Sequence, residues 1–405
     1  MATAFRGARL RTGRGTRIAW LDGMFVPAFP PLRVRDGRSS PRGPRWRTED
    51  VFPGAHLFAR GRFALFEGLR ALARVRDVRR VWLPAYLCRP VVDVMRALGL
   101  ATALYDVDER LEPVWPTVAP AHRDAMLVVH YFGLALPRNP VQEFCVAHGM
   151  PLVEDCAHTV PDPGADVQVG YAGTLAVFSL RKQVPVPGGG LLVVSDAEVR
   201  AAVRAPRAAG VGDRRTLIKL GIMLGERLAF ALGCNVLPFK DRLPVLDAHE
   251  APGTGRPASP GALDTSAFTR PPAPAFVLGP LLRRLDWGEQ IRTRQLGYRS
   301  LAARLRLVPG VTLPVGAPPP GSVPQALPLW VDDPDRVVGA LRRRGVEAMR
   351  WPGREQVPFA AADLPGTVAW LERSLILPLG CALTPGRLDA VVDAVRAGVG
   401  GRSAL

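Results

Sequence analysis

The strongest constraint on the fold is an alternation of short apolar runs with amphipathic stretches between residues 55 and 200. The apolar runs, read as strands, are Val81–Leu83, Ala101–Tyr105, Met126–His130, Pro151–Glu154, Thr174–Ser179 and Gly190–Val194. The amphipathic stretches, read as helices, include Phe63–Val75, Pro90–Leu98 and Val141–His148. Such alternation is typical of a mostly parallel sheet with helices on both faces, so we expect an α/β fold.

Shifts in composition divide the chain into four parts. Residues 1–48 are rich in Arg, Pro and Gly and predict a flexible basic arm. Residues 49–250 form the predicted large α/β domain, and the Pro- and Gly-rich residues 251–280 a linker or long loop. Residues 281–405 predict a small α+β domain. Its expected elements are a long helix Leu281–Leu307, a strand Ala326–Val331, a helix Pro334–Arg344, a strand Ser374–Leu377 and a helix Pro385–Val399.

Composition narrows the classes of function. The formal charge of +17 comes almost entirely from arginine, since the chain has only three lysines. No nucleic-acid-binding motif accompanies this charge, so a nucleic-acid partner is the weaker interpretation. The five cysteines are odd in number, widely spaced and without a Cys-x-x-Cys pair. We therefore expect neither a metal site nor a disulfide framework, and a reducing cytoplasmic location.

The most apolar segment, Leu217–Phe239, does not predict a membrane span. Lys219, Glu226 and Arg227 interrupt it and leave fewer than the ~20 apolar residues that a spanning helix needs. We interpret it as an amphipathic helix packed on protein, with a membrane-surface helix as the less favoured alternative. The N-terminus shows no signal-peptide pattern.

Two predicted apolar strands end in polar residues that are candidates for a catalytic site. One strand ends in Glu154 and Asp155, and the other ends in Ser179, three residues before Lys182. Ligands of a parallel sheet lie beyond the carboxyl ends of its strands, so Asp155, Ser179 and Lys182 are expected to converge there. A carboxylate, a hydroxyl and an amine in one place suit pyridoxal phosphate (PLP).

Each residue has a physical role in such a site. The Asp155 carboxylate would pair with the pyridinium nitrogen, and the Lys182 amine would form the Schiff base with a pKa lowered by burial. His158 could lie against the ring or bond its phenolic oxygen, and Ser179 could bond the phosphate. Gly61, at the start of a predicted helix, would let the backbone N–H groups there approach an anion.

Two further features have simpler interpretations. His130, at a strand end, is more typical of a structural histidine than of a catalyst. Gly188-Gly-Gly190 predicts a tight turn into the next strand.

A series of motifs in a fixed order then indicates a family. The chain resembles fold-type I, PLP-dependent sugar aminotransferases of the DegT/DnrJ/StrS type, and the similarity covers most of residues 55–398. The motifs are Arg60-Gly-Arg-Phe-Ala-Leu65, Trp82-Leu-Pro-Ala-Tyr86, Tyr105-Asp-Val-Asp108, Val129-His-Tyr-Phe-Gly133 and His148-Gly-Met-Pro-Leu-Val-Glu-Asp-Cys-Ala-His158. The chain departs from the family pattern where Val177 stands in place of the usual phosphate-binding serine, and where arginines replace the hydroxyls around Gly61.

The resemblance implies a fold, a reaction and a set of site residues. The fold is a large domain with a mostly parallel seven-stranded sheet and a small α+β C-terminal domain. The reaction is transfer of an amino group, with glutamate as the expected donor, to a keto group of a nucleotide sugar or a related metabolite. A homodimer is also implied. The implied catalytic residues are Lys182, Asp155 and His158, and the implied cofactor-binding residues are Gly61, Arg62, Tyr86, Asp155, His158, Ser179 and Lys182.

Three alternatives remain open from the sequence. A PLP enzyme with another outcome, such as dehydration, is less favoured because family dehydratases replace the lysine by histidine, whereas this chain has Lys182. A protein of this fold that has lost catalysis and acts as a regulator is a second alternative. A basic nucleic-acid binder is the third.

Overall fold

The structure is a computed structural model that describes residues 25–28, 46–115, 119–206, 214–232, 234–237, 268, 271–353, 364–381 and 383–400. The predicted arm, residues 1–48, and the predicted linker, residues 251–280, lie mostly outside the described residues. The four-part division of the chain therefore stays a prediction.

The strands of the structure follow the predicted alternation. They are β1 His56–Phe58, β2 Arg80–Pro84, β3 Ala101–Tyr105, β4 Asp124–Val129, β5 Leu152–Cys156, β6 Leu175–Ser179, β7 Gly190–Val194, β8 Ala326–Trp330 and β9 Ser374–Pro378. All six strands predicted in the first half of the chain are confirmed, with bounds that differ by at most two residues. The three-residue strand β1 was not predicted.

The helices lie between and after these strands. They are α1 Thr48–Val51, α2 Gly61–Arg76, α3 Arg89–Leu98, α4 Arg138–Ala147, α5 Leu180–Gln183, α6 Ala197–Ala201, α7 Arg214–Leu232, α8 Leu278–Arg283, α9 Trp287–Leu305, α10 Pro334–Arg343, α11 Pro365–Arg373 and α12 Pro385–Gly400. A short 3-10 turn, Tyr131–Gly133, follows β4.

Strands β1 to β7 form one sheet, in the order β1-β7-β6-β5-β4-β2-β3. Strands β2 to β6 are mutually parallel, and β7 runs antiparallel to β6. The mostly parallel seven-stranded α/β fold predicted above is thereby confirmed. The carboxyl ends of β4, β5 and β6 lie side by side at one edge of the sheet, where ligands of such folds bind.

Strands β8 and β9 pair antiparallel and form a second, two-stranded sheet. Helices α9, α10 and α12 surround this sheet with a separate apolar core, which includes Tyr298, Leu301, Leu341 and Val395. Asp106, just after β3, joins the two parts of the molecule, because its carboxylate accepts hydrogen bonds from the backbone N–H groups of Gly366 (2.9 Å) and Thr367 (2.8 Å).

The prediction of one helix over Leu281–Leu307 is wrong. The segment contains two helices, α8 and α9, with a break before Trp287. Asp286 causes the break, since its side chain accepts a hydrogen bond from the backbone N–H of Glu289 at 2.9 Å and so starts a new helix.

Helix α7 only partly fits the interpretation that it packs on protein. Ala229 is buried against Phe25 and Leu237. Ile218, Leu224, Leu228 and Leu232 are each more than half exposed, so for these four side chains that interpretation is wrong within the described residues. Among the described residues, no helix has the length and apolarity needed to cross a membrane.

Candidate active site

A cavity opens at the carboxyl ends of β5 and β6, between the large sheet and the two-stranded sheet. Its volume is about 170 Å³. Among the predicted site residues, Gly61, Arg62, Asp155, His158, Ser179 and Lys182 all line it. The sheet brings them together because Asp155 of β5 pairs with Val177 of the neighbouring strand β6, and Ser179 and Lys182 follow two and five residues later.

Asp155 presents one carboxylate oxygen to its own backbone and keeps the other available. Its Oδ1 accepts a hydrogen bond from the N–H of Ala157 at 2.9 Å. Burial raises the pKa of Asp155, while the charge of Lys182 and the Ala157 N–H oppose that rise. The second oxygen has no hydrogen-bond partner among the described residues and is a free acceptor.

Lys182 sits in the short helix α5, directly after β6. Burial lowers the pKa of its amine, and the nearby Arg181 acts in the same direction. The amine forms no hydrogen bond or ion pair with the residues that the structure describes. A lowered pKa and the lack of a partner both make this amine a better nucleophile toward an aldehyde than an ordinary lysine.

His158 is neutral and fixed in one tautomer. Its Nδ1 accepts a hydrogen bond from the backbone N–H of Phe132 at 3.2 Å, so Nε2 carries the proton. Burial, together with the charges of Lys182 and Arg181, lowers the pKa of His158 well below its usual value. The ring lies edge-to-face with Trp351, with 4.7 Å between the centroids.

The start of helix α2 forms the cationic end of the cavity. Arg60 precedes this helix without a side-chain cap, and Arg60, Arg62 and Arg181 all line the cavity. Burial and the charge of Arg60 lower the pKa of Arg181 to about 10. An anion bound here would receive both arginine charge and the partial positive charge of the helix N-terminus.

Ser179 lies against the same helix start. A Cβ placed on Gly61 would come 3.4 Å from the Ser179 Cβ and 3.7 Å from its Oγ. Ser179 is only 7% exposed, and its hydroxyl has no partner within the described part of the chain. It is therefore available to donate to the same anion.

Two of the three glycines in Gly188–Gly190 are required by the local structure. A Cβ there would come within 2.3 Å of the Arg60 carbonyl carbon, so only glycine lets β7 begin this close to the start of α2. Gly189 has φ +96°, which confirms the prediction of a tight turn into the strand.

Tyr86 does not line the cavity, although it was predicted to bind the cofactor. Its hydroxyl donates to the Trp351 carbonyl and lies 3.3 Å from the hydroxyl of Ser374, at the start of β9. Its ring is fully buried. These contacts of Tyr86 join the segment after β2 to Trp351 and to the start of β9.

His130 and Glu154 form a satisfied buried pair rather than a further site. His130 Nε2 lies 3.0 Å from Glu154 Oε2, and its Nδ1 accepts from the N–H of Leu136. The other Glu154 oxygen accepts from the N–H groups of Ala172 and Gly173. These bonds agree with the prediction that His130 is a structural histidine at the end of a strand.

Several cavity residues were missed by the sequence reasoning. Gln325, Met349, Trp351 and Ile376 approach from the C-terminal part of the chain, and Cys88 and Phe132 from the segments after β2 and β4. Phe132 stands inside a quoted motif, but no local pattern marks the other five. The four residues of the C-terminal part reach the cavity only through long-range packing.

The cavity groups fit PLP. Ser179, Arg62 and Arg181 suit its phosphate, the free oxygen of Asp155 suits a protonated ring nitrogen, and the Lys182 amine suits its aldehyde. The fit depends on groups that lack partners in the described protein, because Ser179 and Asp155 each keep an unused hydrogen-bonding position in a buried setting.

Comparison with known proteins shows which family part of the chain is similar to. Residues 61–235 match the model of the DegT/DnrJ/EryC1/StrS aminotransferase family. An L-glutamine:scyllo-inosose aminotransferase of Streptomyces griseus is 31% identical over 176 residues, which are 40% of this chain and 42% of that protein. The chain therefore spans about two fifths of the length of this curated relative.

Solved structures share the fold over a longer stretch. The aminotransferase TlmJ of Streptoalloteichus hindustanus has a TM-score of 0.57 and 23% identity, with 85% of each chain covered. The sugar aminotransferase CalS13 of Micromonospora echinospora has a TM-score of 0.63 and 17% identity, with 92% of this chain and all of that chain covered. By its match over residues 61–235, this part of the chain is similar to the DegT/DnrJ/EryC1/StrS aminotransferase family.

Proposed function

We propose that the chain is a PLP-dependent aminotransferase that moves an amino group from an amino acid to a ketone of a sugar-like metabolite. One observation carries the proposal, namely that Asp155, Ser179 and Lys182 line one cavity with hydrogen-bonding groups left unused. In the balanced exchange, the ketone oxygen of the acceptor is replaced by the amino group and a hydrogen, and the donor becomes a keto acid. Glutamate is the donor expected from the family, and the name of the curated relative adds glutamine.

When bound, PLP would supply a pyridine ring that withdraws electrons from the substrate carbon. The residues of the chain would hold this ring and move protons. Asp155 would accept a hydrogen bond from the ring nitrogen and keep it protonated. His158, fixed by the Phe132 N–H, would present its Nε2–H as a donor.

Lys182 would act as the acid and base. Because burial lowers the pKa of its amine, a larger unprotonated fraction exists near neutral pH than for an ordinary lysine. That amine can take a proton from the donor carbon and later return one to the acceptor carbon. Arg62 and Arg181 would hold the phosphate by charge, in place of the hydroxyls usual in the family.

Covalent attachment of PLP to Lys182, together with transfer of labelled nitrogen, tests this function. The purified protein is incubated with PLP, reduced with borohydride and digested, and the peptides are examined by mass spectrometry. We expect the pyridoxyl group on Lys182 and, with ¹⁵N-labelled glutamate or glutamine, ¹⁵N in the amine product of a keto-sugar or keto-cyclitol. A protein that binds no cofactor at Lys182 and transfers no label would leave the non-catalytic alternative.

The lowered pKa of Lys182 gives a pH prediction. Its amine should lose its proton at a lower pH than the ordinary lysine value of 10.5. Trace acetylation of the cofactor-free protein, compared with N-acetyl-lysine over a pH series, should therefore place the midpoint of Lys182 reactivity below that of the standard. A midpoint at or above that of the standard would contradict the argument that burial lowers the pKa.

The homodimer and the cytoplasmic location remain proposals. All five cysteines lie in the described part of the chain and none of them forms a disulfide there, which suits a reducing compartment. Analytical ultracentrifugation of the full chain would test the dimer.

A further inference from the structure

A short segment near the N-terminus is built into the C-terminal part of the molecule. It consists of Phe25–Ala28, which we name the N-terminal strap, and all of its residues are buried. Val26 belongs to the apolar core around the two-stranded sheet. Phe25 packs on the other side against Ala229 and Leu237. The strap therefore has fixed partners, although it lies within the stretch predicted to be a basic arm.

Hydrogen bonds join the N-terminal strap to the chain just after α10. The N–H of Val26 donates to the Gly345 carbonyl at 2.7 Å, and the Val26 carbonyl accepts from the N–H of Glu347 at 2.9 Å. Val26 and Val346 thus form a parallel β-bridge. The N–H of Ala28 donates to Oε2 of the buried Glu347 side chain at 2.8 Å. Two backbone bonds and one bond to a buried carboxylate therefore fix this stretch of the chain.

The stretch held by the strap leads directly into the cavity. Residues 345–351, which we name the wall segment, contain Met349 and Trp351, and both of these line the cavity. Met349 is paired with Ile376 of β9, since each backbone N–H donates to the carbonyl of the other, at 3.3 and 2.9 Å. The strap therefore holds the start of the wall segment, and β9 holds the part that faces the cavity.

Trp351 connects the wall segment with the candidate catalytic residue His158. The two rings lie edge-to-face, with 4.7 Å between their centroids and 80° between their planes. Phe132 meets the same indole ring at 5.5 Å and 82°. Aromatic contacts of this kind depend on the distance and angle between the rings. A displacement of Trp351 would therefore change the surface against which the His158 ring is packed.

We propose that Val26 and Ala28 are positioning residues of the cavity. Through the N-terminal strap they hold the wall segment in place, so that Met349 and Trp351 stand at the cavity wall. Neither strap residue lines the cavity itself, so both act through the wall segment. The inference concerns the shape of the cavity and goes beyond the proposed aminotransferase function, on which it does not depend.

The test uses the cofactor-free full chain and the variant Ala28→Pro, which removes the N–H that Glu347 accepts. Hydrogen exchange measures the backbone of the wall segment, and hydroxyl-radical footprinting with mass spectrometry measures the exposure of the Met349 and Trp351 side chains. We expect exchange in the wall segment to become roughly 5- to 100-fold faster, the factor expected when a buried carboxylate loses one donor. Oxidation of both side chains should increase as well.

Variants of Glu347 keep the result interpretable if Ala28→Pro does not fold. Glu347→Leu removes the acceptor and should produce at least the same changes, whereas Glu347→Gln keeps an acceptor oxygen for the Ala28 N–H and should stay close to wild type. Because Ala28→Pro and Glu347→Leu remove the same bond, the double variant should be no worse than Glu347→Leu alone. Tyr298→Phe, which loses a hydrogen bond to the Val315 carbonyl at the same apolar core, is the matched control and should leave the wall segment unchanged.

Added PLP provides a spectroscopic readout of the same positioning. The circular dichroism of its absorption band, per unit absorbance, should be weaker in Ala28→Pro than in wild type, because Trp351 and His158 are less fixed around the ring. An unaltered band together with increased oxidation would overturn the part of the inference that concerns His158.

The other outcomes separate the inference from the proposed function. Wild-type exchange in both Ala28→Pro and Glu347→Leu would overturn the inference. Faster exchange without increased oxidation of Met349 and Trp351 would also overturn it, because the strap would then be purely structural. If the wild-type chain binds no PLP, the proposed function fails, while exchange and footprinting of the cofactor-free protein still decide the inference.

Discussion

Replacing Lys182 with alanine should lower amino-transfer turnover by roughly 100- to 10,000-fold, the range for loss of a positioned acid and base. The expected loss is large because Lys182 is the only lysine among the described residues that line the cavity. The variant should still fold, since the Lys182 amine makes no hydrogen bond or ion pair with the described residues. Steady-state rates with labelled donor and the thermal midpoint of each protein are the measurements.

Lys219→Ala is the matched control. The chain contains only three lysines, and Lys219 lies on α7 rather than in the cavity. It should retain turnover and should still be labelled by PLP at Lys182 after reduction. Full activity in Lys182→Ala would assign the chemistry to another group, and equal losses in both variants would point to general damage.

The large sheet could be predicted because its strands are buried on both sides. In β4, β5, β6 and β7 every residue is buried, so each strand forms a continuous apolar run that is visible in the sequence. Strand β1 has only three residues and two of them are half-buried. A strand this short leaves no periodic signal, so it could not be predicted.

The site could be predicted where its residues follow strand ends. Asp155, Ser179 and Lys182 come from two neighbouring parallel strands, and their meeting follows from topology alone. Gln325 and Trp351 reach the cavity from the two-stranded part, more than 140 residues after Lys182 in the numbering. Their approach depends on how the two parts pack, which local patterns do not encode.

Close packing at Gly133 fixes the position of the segment before β8, which contains Gln325, relative to the large sheet. A Cβ on Gly133 would come 2.3 Å from the Val323 carbonyl oxygen, 2.6 Å from the His158 carbonyl oxygen and 2.8 Å from the Gln325 nitrogen. Gly133 also has φ +83°, a conformation that glycine adopts readily. One glycine thus lets the turn after β4, the His158 loop and the segment before β8 meet.

The role of Arg294 could not be predicted from the sequence. It lies on the buried face of α9, with Ile291, Tyr298 and Leu301 at helical spacing, where an apolar residue would be expected. It is only 2% exposed. Its guanidinium donates to the carbonyls of Gln183 (2.7 Å), Pro324 (3.3 Å) and Gln325 (3.3 Å).

These three bonds connect the chain just after Lys182 with Pro324 and with Gln325, which lines the cavity. Gln183 continues the connection, because its side-chain amide donates to the His158 carbonyl. Arg294 contacts no substrate in this arrangement and acts as a positioning residue. Its loss would remove the arginine donor from the buried carbonyls of Gln183 and Pro324 and leave the Gln325 carbonyl with the N–H of Leu379.

Arg294→Met should therefore lower the free energy of unfolding by about 3–5 kcal/mol, as expected when a buried charged donor is removed from its partners. Denaturant titration measures the loss, and Arg299→Met, an exposed arginine on the same helix, is the control that should stay close to the wild-type value. Arg294→Lys keeps the charge, but one ammonium group cannot reproduce the fork of bonds to three carbonyls, so it should recover less than half of the loss.

Where Arg294→Lys folds, the pH midpoint of Lys182 reactivity should also move, because the segment that holds Lys182 has lost its anchor. A wild-type unfolding midpoint in Arg294→Met would show that these carbonyls find other donors, and an unmoved Lys182 midpoint in Arg294→Lys would reduce Arg294 to a purely structural residue.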